Sequence, residues 1–144
     1  MLTYVEFRSD LFPADPDEDE AVNPGVYGRR LALFLAGELR GEGFICGQPF
    51  AEDWGWCIPI ENDGFKLWIG CGSYSEYPDG FLCFIEPHTP VIRKLFTKVD
   101  TRPRVEALQK AIDTVLSGRP LIRDKRWWTH EDFNNPGRGS PPTE

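Results

Sequence analysis

The sequence lacks the signatures of several common enzyme classes. It has only two histidines, His88 and His130, and it contains no H-E-x-x-H, G-x-S-x-G or G-x-x-x-x-G-K-[ST] pattern. These patterns hold a catalytic zinc ion, a nucleophilic serine and a nucleotide phosphate, respectively. Their absence argues against a zinc peptidase, a serine hydrolase of that type and a P-loop nucleotide hydrolase, and we expect no cofactor.

Long apolar runs are also missing. No stretch approaches the roughly 18 consecutive apolar residues that would cross a bilayer. The opening residues, MLTYVEFRSD, have neither the basic start nor the apolar core of a secretory signal. We therefore predict a cytoplasmic protein with no membrane partner.

The four cysteines do not form a C-x-x-C pair, the spacing on which many zinc sites are built. They are Cys46, Cys57, Cys71 and Cys83. Free cysteine commonly behaves as a small buried apolar residue, and that is the prediction here. A disulfide between neighbouring strands is the alternative.

The negative charge is concentrated in the first half of the chain. The net charge is −7; residues 1–72 carry 13 acidic and 5 basic side chains, whereas residues 73–144 carry 10 and 11. A phosphate backbone requires a basic surface, so this distribution argues against nucleic acid as a partner. It suits a basic protein partner, or solubility alone.

An acidic loop, residues 15–20, holds most of that local charge: Asp15, Asp17, Glu18, Asp19 and Glu20. The alternating aspartates resemble the start of a calcium loop, but the required glycine and closing glutamate are absent, so we predict no metal site. Carboxylates placed before a helix also favour its positive end. The loop is interpreted either as a solvated segment or as a docking surface for a basic partner.

Residues 91–126 show the opposite charge, with ten basic and four acidic side chains. Beside Trp127 and Trp128, these cations suggest an anionic-ligand or nucleic-acid surface. They are scattered over several elements, however, which favours a solvated helix face paired with the acidic half of the chain. Such pairing could form within a homodimer.

Periodicity predicts an α+β fold. Residues 2–7 alternate as a strand, and the apolar stripe of Tyr27, Leu31, Leu35 and Leu39 predicts a helix over residues 26–43. A second stripe predicts a helix that begins at Asp100 or Thr101 and ends at Gly118; its members are Val105, Leu108, Ile112, Val115 and Leu116.

Tight turns join the remaining strands. Asp63-Gly64 predicts a two-residue hairpin with Asn62 opposite Phe65, and residues 81–86 form the next strand. A short helix is expected at 90–96 after Thr89, because proline favours a first turn. Residues 121–133 add a strand or a helical turn, with Thr129 and Asp132 as a capping box.

The predicted fold is an antiparallel sheet of four to five strands, in the order β-α-β-β-β-β-α, with two main helices packed on one face. Residues 1–133 are predicted to form one domain and residues 134–144 a flexible tail.

The hairpin's two faces are unlike. With the predicted register, the core face is bulky: Trp54, Trp56, Ile58, Ile60, Phe65, Leu67, Ile69 and Cys71. The other face is small except for two aromatics: Gly55, Cys57, Pro59, Trp68, Gly70, Gly72 and Tyr74. Glycines in a strand allow close backbone approach, so this face is our candidate groove for a partner, with Trp68 and Tyr74 as anchors. Packing of another element of the chain on the same strip is the alternative.

A weaker candidate site contains Glu86, His88 and His130. Glu86 and His88 are two residues apart at a strand end and can share a face. If His130 folded nearby, a metal or acid–base site could assemble.

In size, acidity and layout the chain is similar to small bacterial immunity and inhibitor proteins, which bind a partner by charge and aromatic anchors. That resemblance concerns architecture alone, since no diagnostic motif accompanies it. It implies a non-catalytic protein-binding domain. The alternatives are a small metal-dependent or acid–base enzyme using Glu86 and His88, and a sensor that holds a small ligand over the glycine strip.

Overall fold

The computed structural model describes residues 1–18, 27–73 and 77–135. Three predicted features lie outside these residues: the Asp19 and Glu20 carboxylates, Tyr74, and the tail from residue 136 onward. The described elements, in chain order, are β1 (Leu2–Ser9), α1 (Arg29–Arg40), β2 (Phe50–Glu52), β3 (Gly55–Ile60), β4 (Leu67–Ser73), β5 (Gly80–Glu86), β6 (Val91–Arg93), β7 (Lys98–Asp100), α2 (Arg102–Ser117), β8 (Ile122–Thr129) and α3 (His130–Phe133).

Six strands form one sheet in the order β2-β3-β4-β5-β1-β8, and every neighbouring pair is antiparallel. Strand β1 lies between β5 and β8. The α+β class and the predicted element order are confirmed, with β6, β7, β8 and α3 added to that order.

The register predicted for the β3–β4 hairpin is confirmed. Ile60 pairs with Leu67 and Ile58 with Ile69, which continues the alignment set by Asn62 opposite Phe65. The Asn62 side-chain amide donates to the Phe65 carbonyl at 3.1 Å and supports the turn. The inward residues of both strands are buried, as their apolar character requires.

Helices α1 and α2 both pack on the inner face of the sheet, α1 against β3 and β4, and α2 against β1 and β5. Apart from Tyr27, which is half-buried, the residues of their predicted stripes are buried: Leu31, Leu35, Leu39, Val105, Leu108, Ile112, Val115 and Leu116. Helix α2 has the predicted bounds. Helix α1 begins at Arg29, three residues later than predicted. Gly28 is its N-cap, and Tyr27 therefore lies outside it.

The prediction of a short helix at 90–96 is wrong. Val91 to Asp100 instead form a small two-stranded sheet, β6–β7, closed by a turn in which the Lys94 amide donates to the Thr97 carbonyl at 2.7 Å. The β-branched Val91, Ile92 and Val99 favour strands over a helix.

The segment at 121–133 forms both predicted alternatives, a strand (β8) followed by a helical turn (α3). The predicted cap is present: the Thr129 hydroxyl oxygen accepts a hydrogen bond from the Asp132 amide at 3.0 Å.

All four cysteines are free thiols. Cys57, Cys71 and Cys83 are buried, and Cys46 is partly buried. Cys71 and Cys83 lie opposite each other on β4 and β5, with their sulfur atoms 3.7 Å apart. The expected role of these residues as small apolar side chains therefore fits their positions.

Within the described ranges, no helix combines the length and the apolar character needed to span a membrane.

Candidate functional site

Aromatic side chains cover part of the sheet face that the two long helices leave open. Alternation along the strands directs Tyr4, Trp68 and Phe84 to this side, opposite the buried Val5, Ile69 and Ile85. We call the set of Tyr4, Trp54, Trp68, Phe84 and Phe133 the aromatic face.

The rings of the aromatic face contact one another in a continuous row. Trp54 lies 5.9 Å from Trp68 and 5.2 Å from Phe84, measured between ring centroids. Phe84 lies 5.6 Å from Tyr4, which stacks on Phe133 at 4.7 Å. Such spacings are those of favourable aromatic pairs, so the row is pre-organised by its own contacts.

Trp54 does not lie on the core face, and that prediction is wrong. It occupies the turn between β2 and β3, is 39% exposed, and packs against Trp68 and Phe84 on the open side. The strict alternation used in the prediction fails here because Trp54 precedes β3, and the following Gly55 has a φ of 151° that strands of ordinary residues avoid.

The glycine strip is largely covered by the protein itself. A Cβ atom at Gly70 would overlap the Phe84 ring, which lies directly over that backbone. A Cβ at Gly55 would overlap the Cys71 carbonyl, and one at Gly72 would lie 3.2 Å from the Trp54 carbonyl. The expectation of a bare backbone at Gly55 and Gly70 is therefore wrong, and internal packing, the alternative considered above, accounts for them.

Beside this covered strip the aromatic face retains an open concavity of about 360 Å³. Its lining is mainly apolar: Trp54, Trp68, Gly72, Ser73, Leu82 and Phe84. Glu52 and Asp53, both exposed, lie in sequence immediately before Trp54 and give that end of the face a negative charge. The half-buried Trp68 and the buried Gly72 are thus the predicted site residues that line this concavity.

Glu18 is not part of an exposed acidic surface. It is fully buried, and its Oε2 accepts hydrogen bonds from the Gly28 amide at 2.7 Å, the Arg29 amide at 2.9 Å and the Trp56 indole at 2.8 Å. Oε1 accepts from the Asp15 amide at 3.0 Å. The carboxylate therefore satisfies the first amides of α1 and complements the positive end of its dipole.

The two other described carboxylates of the acidic loop pair with the protein's own arginines. Asp15 Oδ1 lies 2.7 Å from Arg30 Nε, and Asp15 Oδ2 lies 3.5 Å from Arg29 Nη1. Asp17 Oδ1 lies 3.0 Å from the same Arg29 nitrogen. The hydrogen bond from Arg30 lowers the pKa of Asp15 below its usual value. These contacts tie the loop to α1 and neutralise part of the charge that was expected to attract a partner.

The residues of the weaker candidate site do come together. Glu86 Oε1 lies 2.6 Å from His88 Nδ1, and the imidazole rings of His88 and His130 stack with centroids 3.5 Å apart. The Tyr4 hydroxyl lies 3.0 Å from His130 Nδ1. We call these four residues the histidine cluster; it adjoins the aromatic face through Tyr4.

Burial raises the pKa of the Tyr4 hydroxyl above its usual value. A hydrogen bond with Asn134 opposes this shift, and the nearby Glu86 carboxylate adds to it. In the described part of the chain, no group of three or more His, Cys, Asp or Glu side chains is arranged to hold a metal ion. What the histidine cluster offers chemically is proton transfer.

Sequence reasoning missed Tyr4, Phe84 and Leu82 as site residues. A signal was present: the segment FLCFIE is apolar at every position but the last, which indicates a strand whose two faces are both in apolar surroundings. Which of its side chains would border an opening depended on its neighbours in the sheet, and the sequence does not state them.

Comparison with protein-family models, with curated proteins and with solved structures found no match to the chain.

Proposed function

We propose that the chain is a cytoplasmic, non-catalytic protein-binding domain of the inhibitor or immunity type. In this proposal the aromatic face receives an apolar side chain from a basic partner. The observation that carries it is the concavity between Trp54, Trp68 and Phe84 on the sheet face opposite α1 and α2.

The chemistry of the concavity suits a protein anchor. Tryptophan is enriched among the residues that dominate interface energy, and clefts of a few hundred cubic ångströms accept one large side chain or a small ligand. Trp54 and Trp68 are held against Phe84 before any partner arrives. Binding therefore requires little further loss of rotamer freedom, which favours affinity.

The charge beside the concavity suits a basic partner. Glu52 and Asp53 are exposed and take part in no ion pair within the described ranges, unlike Asp15 and Asp17. Carboxylates at the rim of an interface accelerate association with a cationic partner and add a dependence on salt. This moves the proposed steering charge from the acidic loop to the β2–β3 turn.

A displayed peptide library tests the chemistry directly. The full chain is immobilised and used to select random peptides, which we expect to be enriched in a large apolar residue flanked by lysine or arginine. Dissociation constants are then measured for the wild type and for Trp68→Ala, which should weaken binding by about 30-fold or more.

Leu121→Ala is the matched control, because Leu121 is a large apolar residue exposed at a distant loop. A selection that yields no cationic-apolar consensus would contradict the proposal, as would a consensus peptide that binds Trp68→Ala as tightly as wild type. If only small aromatic compounds stabilise the fold in a thermal-shift screen, the concavity is a small-ligand site instead.

A second candidate function, acid–base catalysis, is favoured by the geometry of the histidine cluster. A carboxylate 2.6 Å from one imidazole nitrogen orients that ring, as in many catalytic pairs. A stacked second imidazole and a tyrosine hydroxyl place further proton donors and acceptors within the same cluster. In this proposal His88 acts as the base and Glu86 orients it.

Chromogenic esters, amides and phosphate monoesters provide the test. Any turnover by the wild type should fall at least about 100-fold in His88→Gln and in Glu86→Gln, with the far-ultraviolet dichroism unchanged. Turnover that survives both substitutions, or none on any of the three substrate classes, counts against catalysis at this cluster.

A further inference from the structure

The β6–β7 hairpin carries the two most exposed large apolar side chains among the described residues. Leu95 is 88% exposed and Phe96 is 91% exposed. They are the central residues of the turn closed by Lys94 and Thr97, so they form its tip. Because large apolar groups that are almost fully exposed gain little from the fold, this pair is a candidate contact with something outside the molecule.

The same turn carries positive charge that the fold does not neutralise. Arg93, Lys94 and Lys98 are exposed, and none of them has an ion-pair partner among the residues that the structure describes. Several arginines elsewhere are paired, for example Arg8 with Asp79 and Arg102 with Asp100. Three unpaired cations therefore lie within six residues of the hairpin, with no acidic residue between them.

We propose that this hairpin docks on an anionic lipid surface, with Leu95 and Phe96 entering the headgroup region and the three cations contacting lipid phosphates. It is a peripheral contact that needs no spanning helix, and it would replace the sequence-based expectation of no membrane partner. It is independent of the aromatic face.

The shape of the hairpin favours lipid over a folded acidic protein. A folded protein partner would have to provide a pocket that matches Leu95 and Phe96 and polar groups that form hydrogen bonds around it. A bilayer surface needs only a convex apolar tip with lysine and arginine beside it, because their long side chains reach outward to phosphates while the tip inserts. Each basic residue near an anionic surface strengthens such binding several-fold.

Flotation with vesicles tests the proposal on the full chain. One set of vesicles contains phosphatidylglycerol and phosphatidylcholine in equal amounts, and a second contains phosphatidylcholine alone. We expect binding to the anionic vesicles only, weakened by added salt. The Lys94→Gln/Lys98→Gln variant should bind about 30-fold less, and Leu95→Ser/Phe96→Ser at least about tenfold less.

Two variants are the controls. Leu121→Ser changes an exposed apolar residue elsewhere on the surface, and Trp68→Ala changes a residue of the aromatic face. Both variants should bind vesicles as the wild type does. Absence of wild-type binding would overturn the proposal, and so would binding that survives Leu95→Ser/Phe96→Ser. Equal affinity for soluble polyglutamate would assign the hairpin to an acidic polypeptide instead. A dimer in solution that dissociates in Leu95→Ser/Phe96→Ser, without vesicle binding, would assign it to a second copy of the chain.

Discussion

The carboxylate of Glu18 accepts a hydrogen bond from the indole nitrogen of Trp56 across 38 positions of sequence, and both side chains are buried. The same oxygen accepts from the Gly28 and Arg29 amides. One side chain therefore connects the acidic loop, the start of α1 and strand β3. A residue in the middle of a charged run thus contributes to the structure of the core and not to the surface.

Substitution of Glu18 by glutamine should be strongly destabilising. The amide cannot replace both oxygens, so it places an N–H group against donors that already need an acceptor. We expect the free energy of unfolding to fall by about 2–4 kcal/mol, measured by urea denaturation.

Glu6 supplies the matched comparison. It is also buried, but among the described residues Oε1 accepts only from the Trp128 indole at 3.0 Å and Oε2 has no partner. Glu6→Gln keeps the acceptor and puts an NH2 group where the unpartnered oxygen lay, facing no other donor, so it should cost less stability than Glu18→Gln. If Glu6→Gln and Glu18→Gln lowered the free energy of unfolding equally, burial of the carboxylate, and not the number of hydrogen bonds that it accepts, would determine the loss of stability.

Replacing Gly70 by alanine should destabilise the aromatic face. The added methyl group overlaps the Phe84 ring, which cannot move freely because Trp54, Trp68 and Tyr4 pack around it. We expect the free energy of unfolding, measured by chemical denaturation, to fall by about 1–3 kcal/mol.

Gly37→Ala is the opposite control for that substitution. Gly37 lies inside α1, and beyond the local helix backbone and its two chain neighbours no described atom lies within 4 Å of the added methyl group, so alanine should stabilise the helix by about 0.5–1 kcal/mol. Phe84→Leu should also restore part of the stability lost in Gly70→Ala. If Gly70→Ala were as stable as wild type, Phe84 would not be fixed over that strand.

The core thiols should be unreactive in the folded protein. Burial raises the pKa of Cys57 to about 11 and that of Cys71 well above its usual value. Because the thiolate is the nucleophile, reaction with a disulfide reagent near pH 8 should be slow for both and fastest at the partly buried Cys46.

The measurement is the number of thiols titrated with and without denaturant. We expect all four to react in guanidinium chloride and Cys46→Ser to remove most of the reaction of the native protein. Rapid native labelling of Cys71 would mean that the β4–β5 region opens readily. A count below four under denaturing, non-reducing conditions would mean that a disulfide has formed.

We expect the Asp79 carboxylate to stabilise the folded protein, and we expect this stabilisation to be lost at acidic pH. Burial alone would raise the pKa of its carboxyl, but the hydrogen bond from Arg8 and the charges of Arg8 and Arg123 lower it below 3.8. Since the folded pKa is depressed, the contribution is fully present above 3.8 and is lost as the pH falls through the folded value.

Unfolding free energies measured from about pH 5 down to about pH 2 test this sign. Asp79→Asn should fall less steeply over that interval than wild type, and Asp63→Asn, at the exposed hairpin turn, should follow wild type. A parallel acid profile for Asp79→Asn and wild type would show that the Arg8 contact contributes nothing measurable.

The parts of the fold that sequence reasoning predicted are those set by local chemistry. Asp63-Gly64 fixed a turn and with it the register from Ile58 to Ile69. The stripe of α2 and the capping of α3 by Thr129 likewise depend on residues within a few positions of one another. In these segments periodicity and turn preference agree, so one pattern determines the local structure.

Except at Trp54, the failures arose where a residue distant in sequence determines the structure. Glu18 is buried because Trp56 and α1 lie beside it, and an acidic run alone predicts exposure. Trp54 turned outward because a turn interrupts the alternation ahead of Gly55. His88 and His130 meet because β1 lies between β5 and β8, an arrangement that composition and spacing do not contain.

The position of β1 has a consequence for how the protein is made. Its neighbours are β5 and β8, which both follow it in the chain, so β1 waits for synthesis up to Thr129 before both its edges are paired. At ordinary rates of translation this interval lasts roughly ten seconds. During it, the segment from Tyr4 to Phe7, apolar except for Glu6, is a target for chaperones and for pairing with other nascent chains, so slowing synthesis should lower the yield of native protein.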